Sequence, residues 1–413
     1  MTIFSSVDAF WVGTKIGATG LAAVSTSLFW IWMIISLAEM IGVGLTAVAS
    51  RRYGEGKSEA AARLAGDILV SGVVLGTVVA LVGLRLLPSL FAIMETSHDV
   101  TALGSMYLGT FLLGTPLIYG FFAVDAAFRA SGDTRTPFIL LLASVAVTLV
   151  ADPVLILGLG PAPRLGIAGA ALASTATRAA ACLMGAVIAV RRGLLRIGRV
   201  QFESIRAVFH VGAPTAITGI AFSLIYVFLT RTTTRFGTPA LAALGIGHRV
   251  ESWLFMIGVG FGAATAAIVG QNLGAGRPDR AARAGWMATG FCTVLGVIAC
   301  VLELLFAREF ASLFTSDAAV IAESVKYLRI AAISQLAVCS EIVLEGALGG
   351  AGETVPPMLS STALTASRIP LAVWAADRWG SVGIWWVIST TAMARGIAMA
   401  GLWRAGRWKR RSV

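Results

Sequence analysis

The sequence predicts an all-α polytopic membrane protein with two parallel six-helix repeats, hence twelve transmembrane helices, the first of them truncated at its N-terminal end. Three observations lead to this fold class. Of the 413 residues 57% are hydrophobic and only 13% are charged, whereas soluble domains are typically about 25% charged. Apolar stretches of about 20 residues, the length that crosses a bilayer, recur along the whole chain. An internal repeat then divides the chain into halves.

Twelve apolar stretches are predicted to span the membrane. They cover 1–14, 22–50, 61–85, 100–128, 137–158 and 167–190 in the first half, and 206–234, 240–270, 283–306, 320–348, 357–377 and 381–403 in the second. An even number of spans in each half makes the halves parallel repeats, and transporters of that kind bind substrate between them. We expect an N-terminal lobe over 1–190, a cytoplasmic linker over 191–205, and a C-terminal lobe over 206–413 with a basic tail.

The halves repeat at a constant offset of 220 residues. The turn Gly132-Asp133-Thr134 returns as Gly352-Glu353-Thr354, and Tyr107-Leu108 returns as Tyr327-Leu328. Helices rich in Ala and Gly can match by chance, but repeated turns argue for a true duplication.

The same offset indicates that the first span is incomplete. Met1 aligns with Ala221, although the matching helix of the second half is expected to begin near Ile205. About 16 residues, or roughly 24 Å of helix, then have no counterpart, which leaves the first span too short to cross a bilayer. A misplaced start codon or a fragment would explain this.

The net charge of +11 is concentrated in alternate loops and at the C-terminus. By contrast, residues 86–99 contain no Lys or Arg, and residues 158–166 contain only Arg164. This is the positive-inside pattern, which places the basic loops and the C-terminus in the cytoplasm. Because the basic clusters flank apolar spans, they favour contact with the bilayer and argue against a nucleic-acid partner. The basic residues are Arg51, Arg52 and Lys57, then Arg191, Arg192, Arg196, Arg199 and Arg206, then Arg277, Arg280 and Arg283, and finally Arg404, Arg407, Lys409, Arg410 and Arg411.

Residues with enzymatic or metal-binding chemistry are sparse. The four cysteines all lie inside apolar segments without a paired motif, and the three histidines are scattered. Gly56-Lys57-Ser58 resembles the end of a P-loop, but the first Gly of that motif would fall on Arg51. We therefore expect no metal site, no cofactor and no enzymatic activity.

Acids inside the spans are the candidate functional residues, because an ionised carboxylate near the bilayer centre costs about 2.5–3.5 kcal/mol on insertion scales. Asp152 lies deep in the fifth span, before Pro153, which cannot donate to the carbonyl of Leu149. Thr148 is one turn earlier on the same face. The alternative is that Asp152 caps a kinked helix. Asp8 aligns with Phe228, well inside the seventh span, and neither acid has an acidic repeat partner.

Three further features are less specific. Glu39 lies deep in the second span, where a cavity-facing role and a buried hydrogen bond are both open. Trp30 could line a cavity for flat cations or pack against lipid. Asp125 lies near a helix end, where pairing with Arg129 is expected.

Taken together, several motifs resemble the multidrug and toxic compound extrusion (MATE) family, and most of all its DinF-like bacterial branch. They are Val7-Asp8-Ala9-Phe10-Trp11-Val12-Gly13, Gly132-Asp133-Thr134-Arg135-Thr136-Pro137, Asp152-Pro153, Gly166-Ile167-Ala168-Gly169-Ala170-Ala171, Val269-Gly270-Gln271-Asn272-Leu273-Gly274 and Gly350-Ala351-Gly352-Glu353-Thr354. The resemblance implies two six-helix lobes around a central cavity. It also implies exchange of inward H⁺ or Na⁺ for outward organic, often cationic, compounds.

The resemblance further implies that Asp8 and Asp152 share an ion site in the N-terminal lobe. Thr148 stands where many members have Asn, and Ser174 where the sixth helix often has Thr. Phe4 replaces a common Tyr, and with Glu39 and Trp30 it is a candidate for the substrate cavity. Fewer oxygen ligands weaken the case for Na⁺, whereas two close acids can share one proton, because burial and like charge disfavour a second negative charge.

The sequence thus predicts a proton-coupled multidrug antiporter in the bacterial inner membrane. It would work by alternating access as a monomer and export small, cationic organic compounds. One alternative is a lipid-linked precursor flippase of the same superfamily, which would need cavity-facing arginines such as Arg178. Another is a truncated, non-functional paralogue.

Overall fold

The computed structural model describes residues 8, 11–12, 14–94, 97–160, 162–198 and 201–411. Residues 8, 11, 12, 14 and 15 are helical and precede eleven longer helices. These are α1 (Ala18–Gly54), α2 (Ser58–Ile93), α3 (His98–Ser131), α4 (Arg135–Leu157), α5 (Ile167–Arg191), α6 (Phe202–Thr234), α7 (Gly237–Gly274), α8 (Pro278–Ser312), α9 (Ala318–Gly350), α10 (Val355–Ala366) and α11 (Arg368–Ala405). A short 3₁₀ turn, Arg407–Arg410, follows.

The described part of the chain is entirely helical, as predicted, and holds ten helical stretches long and apolar enough to cross a membrane. The last of them, Val355–Ala405, has 51 residues, about 76 Å of helix against a hydrocarbon core of about 30 Å. It is broken at Gly380, whose φ of 62° and ψ of −149° lie outside the helical region. The break falls between the predicted spans 357–377 and 381–403, and it gives this stretch room for two crossings.

The helix bounds follow the 220-residue offset found in the sequence. Ser58 opens α2 and Pro278 opens α8, while His98 opens α3 and Ala318 opens α9. The ends agree too, since α1 ends at Gly54 and α7 at Gly274. The backbone therefore turns at equivalent positions in both halves.

The chain divides into two compact units, Met1–Ala216 and Ile217–Val413, and the division falls within α6. In the first unit α3 packs against α1, α2 and α5, and in the second unit α9 packs against α7, α8 and α11. The middles of α3 and α9 are mostly buried, whereas those of α4 and α8 are mostly exposed. Each unit is thus built around one core helix, and the exposed apolar residues of α4 and α8 suit a lipid solvent.

Residues between α5 and α6 are held against α2. The backbone N–H of Arg196 donates to the carbonyl of Ala62 over 2.9 Å, and its guanidinium pairs with Glu59 at 3.0 Å. The approach requires glycine at position 66, because a Cβ there would lie 2.1 Å from the Arg196 carbonyl oxygen. The segment predicted as a linker is therefore packed onto the first unit.

Asp133 forms the turn between α3 and α4. Its Oδ1 accepts hydrogen bonds from the backbone N–H groups of Arg135 (3.1 Å) and Thr136 (3.0 Å), which caps the start of α4. Its Oδ2 pairs with Arg192 at 2.7 Å. Burial alone would raise the pKa of Asp133, but the hydrogen bonds from Thr136 and the charge of Arg192 outweigh it and hold the pKa below its usual value.

Candidate functional site

The buried face of α4 carries the first acid of the site. Ser144, Thr148 and Asp152 are all buried and spaced four residues apart, so they lie along one side of the helix. Asp152 is fully buried, and neither carboxylate oxygen has a hydrogen-bond partner in the described part of the chain. A buried carboxylate without partners is costly, so Asp152 is a candidate for a functional role.

Asp8 is the second acid and is held by two neighbouring helices. It is 2% exposed. The phenol of Tyr107 on α3 donates to its Oδ2 over 2.5 Å, and the hydroxyl of Ser174 on α5 donates to its Oδ1 over 2.9 Å. Asp8 therefore lies inside the protein and is no solvated chain end, as the sequence predicted.

The two acids interact directly. The carboxyl groups of Asp8 and Asp152 lie close enough to repel each other when both are ionised, and to share a hydrogen bond when one carries a proton. Arg178, also buried, acts electrostatically on Asp8. One proton placed between the two carboxyl groups would remove their mutual repulsion.

Thr148 shares the buried face with Asp152, as predicted, but its hydroxyl is engaged elsewhere. It donates to the carbonyl of Ser144 (2.8 Å) and lies 2.8 Å from the hydroxyl of Thr177 on α5. Thr177 in turn bonds the carbonyl of Ala173 at 2.9 Å. These contacts tie α4 to α5 beside the acids.

The three candidates for a substrate cavity have different surroundings. Glu39 has an exposed side chain although it lies deep in α1, and Arg129 acts on it electrostatically; its cavity-facing role stays a prediction. Trp30 packs on the first-unit core, but its buried indole N–H has no partner among the described residues. Phe4 lies outside the described residues. Asp125 pairs with Arg129 at 2.7 Å, as expected.

The sequence did not indicate that Tyr107 is a partner of Asp8. Arg178 was considered only as a cavity-facing arginine that a flippase would need. Both are brought to Asp8 by the packing of α3 and α5 around the first helical residues, which no spacing rule reveals. One signal was present: Tyr107 belongs to a repeated pair with Tyr327, and a Tyr kept at both copies suggests a shared use of the hydroxyl.

The second unit has a buried polar cluster of its own. The phenol of Tyr327 donates to Glu251 over 3.1 Å, and Gln335 donates to the buried Glu303 over 2.9 Å. Glu251 also lies 3.4 Å from the imidazole of His248. Tyr107 and Tyr327 thus each donate to an acid, although the acids themselves are not repeat partners.

The fold places this chain in a known class of membrane protein. The described part of the chain, with ten helices long and apolar enough to cross a membrane, has the architecture of a polytopic helical membrane protein. The MatE family model matches residues 1–154 and 214–374, about three quarters of the chain. The protein therefore belongs to the MATE family.

Named proteins are similar to this chain over most of its length. The chain is 30% identical over 396 residues to a probable multidrug resistance protein, NorM, of Deinococcus radiodurans, covering 92% of this chain and 82% of the relative. It is also 28% identical over 324 residues to an FAD transporter of Shewanella oneidensis, covering 77% of this chain and 72% of that protein. One relative named for multidrug resistance and one named for FAD transport are thus both similar to this chain.

Solved structures show the same fold. The bent form of the Vibrio cholerae MATE transporter VcmN is 24% identical, with a TM-score of 0.88, and covers 99% of this chain and 94% of its own. A MOP superfamily transporter from Pyrococcus furiosus is 21% identical with a TM-score of 0.91, covering 100% of this chain and 93% of that one.

Proposed function

We propose that this protein exports small organic compounds, mainly cations, in exchange for protons. The observation that carries the proposal is the contact between two buried acids, Asp8 and Asp152, in the first unit. Acids inside membrane spans are typical of proton and ion pathways. The protein would need no cofactor besides the coupling ion.

In the proposed cycle the pair alternates between two protonation states. With both acids ionised, their repulsion favours the conformation that takes up a cationic substrate. A proton entering from outside is shared between Asp8 and Asp152 and removes that repulsion. The packing of the first helical segment against α3 and α5 then relaxes, because Tyr107 and Ser174 hold Asp8 only by hydrogen bonds, and the substrate is released.

Protons suit this site better than Na⁺. A hard cation needs several oxygen ligands to replace its water. Besides the two acids, the nearby oxygens belong to Tyr107 and Ser174, whereas the hydroxyls of Thr148 and Thr177 are already bonded to each other and to backbone carbonyls. Sodium coupling remains the alternative that the experiment below separates.

The architecture proposed for this cycle is that of two parallel six-helix lobes, twelve helices in all, moving by alternating access. The shared 220-residue offset of the helix starts and the two stretches matched by the family model support the duplication. We further propose a monomer in the bacterial inner membrane with a cytoplasmic C-terminus, based on the basic loops. The DinF-like assignment and the short first helix remain predictions from the sequence.

A second candidate cargo is a flavin dinucleotide, because one relative is named an FAD transporter. FAD is anionic and would need basic groups in its binding site. The positive charge of the buried Arg178, however, already interacts with the carboxylate of Asp8. The same point disfavours a lipid-linked precursor flippase, since this deep arginine of the first unit already interacts with an acid. A non-functional paralogue would show no transport of either cargo.

Efflux from vesicles under separate gradients tests the proposal. Purified protein is reconstituted, and export of a cationic dye and of FAD is measured with an imposed H⁺ gradient or an imposed Na⁺ gradient. We expect the H⁺ gradient to drive dye export and the Na⁺ gradient to leave it at the leak rate. Dye export driven only by Na⁺, or FAD export without dye export, would refute the proposed function.

A further inference from the structure

Six exposed arginines lie where α8 begins and α11 ends, and none of them forms an ion pair with any described residue. They are Arg277, Arg280, Arg283, Arg404, Arg407 and Arg410. The two acids nearby are already paired, Asp279 with Lys409 at 2.9 Å and Glu353 with Arg411 at 3.7 Å. This end of the second unit therefore carries a large uncompensated positive charge.

The arginines are brought together by a folded chain end. Trp403 of α11 packs against α8 so closely that a Cβ at Gly285 would lie 2.4 Å from its ring. After the turn at Gly406 the ring of Trp408 stacks on Trp403, with centroids 3.9 Å apart, and its indole N–H donates to the Trp403 carbonyl over 2.8 Å. The pairing of Lys409 with Asp279 then fastens the turn to the start of α8.

An exposed apolar surface begins one helical turn away from these charges. On α8, Arg283 is followed by Trp286 (44% exposed) and Met287 (62% exposed) on the same side of the helix. On α11, Ile397 (69% exposed) lies two turns before Arg404. A molecule at this end would therefore meet guanidinium groups first and an apolar wall directly beside them.

At the corresponding end of the first unit three of the basic residues form ion pairs. There Arg192 pairs with Asp133 at 2.7 Å, Arg196 with Glu59 at 3.0 Å and Lys57 with Glu55 at 2.9 Å. Basic residues that merely orient a membrane protein can be neutralised in this way without harm. In the second unit the six arginines lie close together without an ion pair to any described residue.

We propose that this basic surface, defined by the six arginines above, binds the headgroup of an anionic phospholipid whose acyl chains lie along α8 and α11. Guanidinium groups bind phosphate through paired N–H donors, and each basic residue near an anionic membrane surface adds about fivefold to binding. The apolar wall beside the charge favours a lipid over a soluble phosphate or a nucleic acid. That the site faces the cytoplasm depends on the topology proposed above. The proposed lipid binding does not depend on that topology.

Lipid binding to the purified full chain in neutral detergent tests the inference. Phosphatidylglycerol or phosphatidylcholine is titrated in, and bound lipid is counted by native mass spectrometry. We expect phosphatidylglycerol to bind on the order of a hundredfold more tightly than phosphatidylcholine. In the variant Arg280→Gln/Arg283→Gln/Arg407→Gln, binding of phosphatidylglycerol should fall on the order of a hundredfold, to the level of phosphatidylcholine.

A matched variant removes the same charge elsewhere. Arg63, Arg308 and Arg329 are also exposed and form no ion pair with described residues, and their replacement by Gln should leave phosphatidylglycerol binding unchanged. Both variants should keep the melting temperature measured in phosphatidylcholine. Equal binding of the two lipids by the unaltered protein, an equal loss in both variants, or displacement of the lipid by glycerol 3-phosphate would each overturn the inference.

Discussion

At the scale of single residues, the chemistry of the site depends on which groups hold Asp8 in place. A hydrogen bond from a neutral donor to a charged acceptor is worth about 1.5–3 kcal/mol, and Tyr107 makes the shorter of the two that Asp8 receives. Tyr107 should therefore matter more to transport than its position on a core helix alone suggests.

Replacing Tyr107 by Phe should lower pH-driven dye export by about tenfold or more, because Asp8 loses its strongest donor. The rate is measured in proteoliposomes at a fixed pH gradient. Tyr119→Phe is the matched control, since Tyr119 is another buried tyrosine of α3 that donates over 2.7 Å, but to the backbone carbonyl of Ile34. If both variants lost export equally, the loss would be one of packing, and Tyr107 would have no special role.

The acids themselves could be predicted from sequence, and their partners could not. Asp152 was a candidate because an ionised carboxylate inside an apolar span is energetically costly. Asp8 was a candidate because the repeat placed it inside a helix. Tyr107 and Arg178 reach Asp8 only through the packing of separate helices, which depends on crossing geometry that no local pattern encodes. For the same reason the pairing of Tyr327 with Glu251 had no advance signal beyond the repeated tyrosine.

At the scale of helices and turns, Asp133 stabilises the turn between α3 and α4. Its ionised carboxylate caps α4 and pairs with Arg192. Because the folded-state pKa of Asp133 lies below its usual value, its stabilising effect is fully present above about pH 4. That effect is lost as the pH falls through the folded-state pKa.

The variant Asp133→Asn should lower the free energy of unfolding by up to about 1 kcal/mol at pH 7, seen as a lower melting temperature, because Asn can still cap α4 but loses the ion pair with Arg192. The difference from the unaltered protein should shrink below about pH 4, where Asp133 is protonated first in the unfolded chain and, at lower pH, in the folded protein. A difference that stays constant down to pH 3 would show that charge at Asp133 contributes nothing.

Close packing between helices makes a second prediction at this scale. At the crossing of α7 and α9 a Cβ on Gly346 would lie 2.5 Å from the carbonyl oxygen of Gly262. Overpacking of this kind costs about 1–3 kcal/mol, so Gly346→Ala should lower the melting temperature. Gly260→Ala, also on α7 but with no atom within 4 Å of the added Cβ, should not; an equal loss would exclude close contact as the cause.

At the scale of the whole molecule, most of the fold was readable from the sequence, because lipid imposes long apolar helices and the duplication repeats their ends. The break at Gly380 fell between two predicted spans, and the helix starts kept the 220-residue offset. The segment predicted as a linker is packed on α2. This packing could not be predicted, because it depends on backbone contacts that composition does not reveal.

Orientation in the membrane follows from the basic loops and can be measured directly. In a variant lacking the four native cysteines, Arg404→Cys should react with a membrane-impermeant thiol reagent only from the cytoplasm. Arg308→Cys, 30 residues from the start of α8 at Pro278, or about 45 Å along the helix, should react only from outside. Labelling of Arg404→Cys from outside would invert the proposed topology.

The central claim is that protons bound between Asp8 and Asp152 drive export. It is tested most directly by dye export from proteoliposomes with an imposed pH gradient, comparing the unaltered protein with Asp152→Asn. Asp67→Asn serves as control, because Asp67 is also buried in the first unit but accepts a hydrogen bond from the backbone of Gln201. We predict that Asp152→Asn abolishes gradient-driven export while still binding the dye, and that Asp67→Asn retains export. Undiminished gradient-driven export by Asp152→Asn would contradict the account.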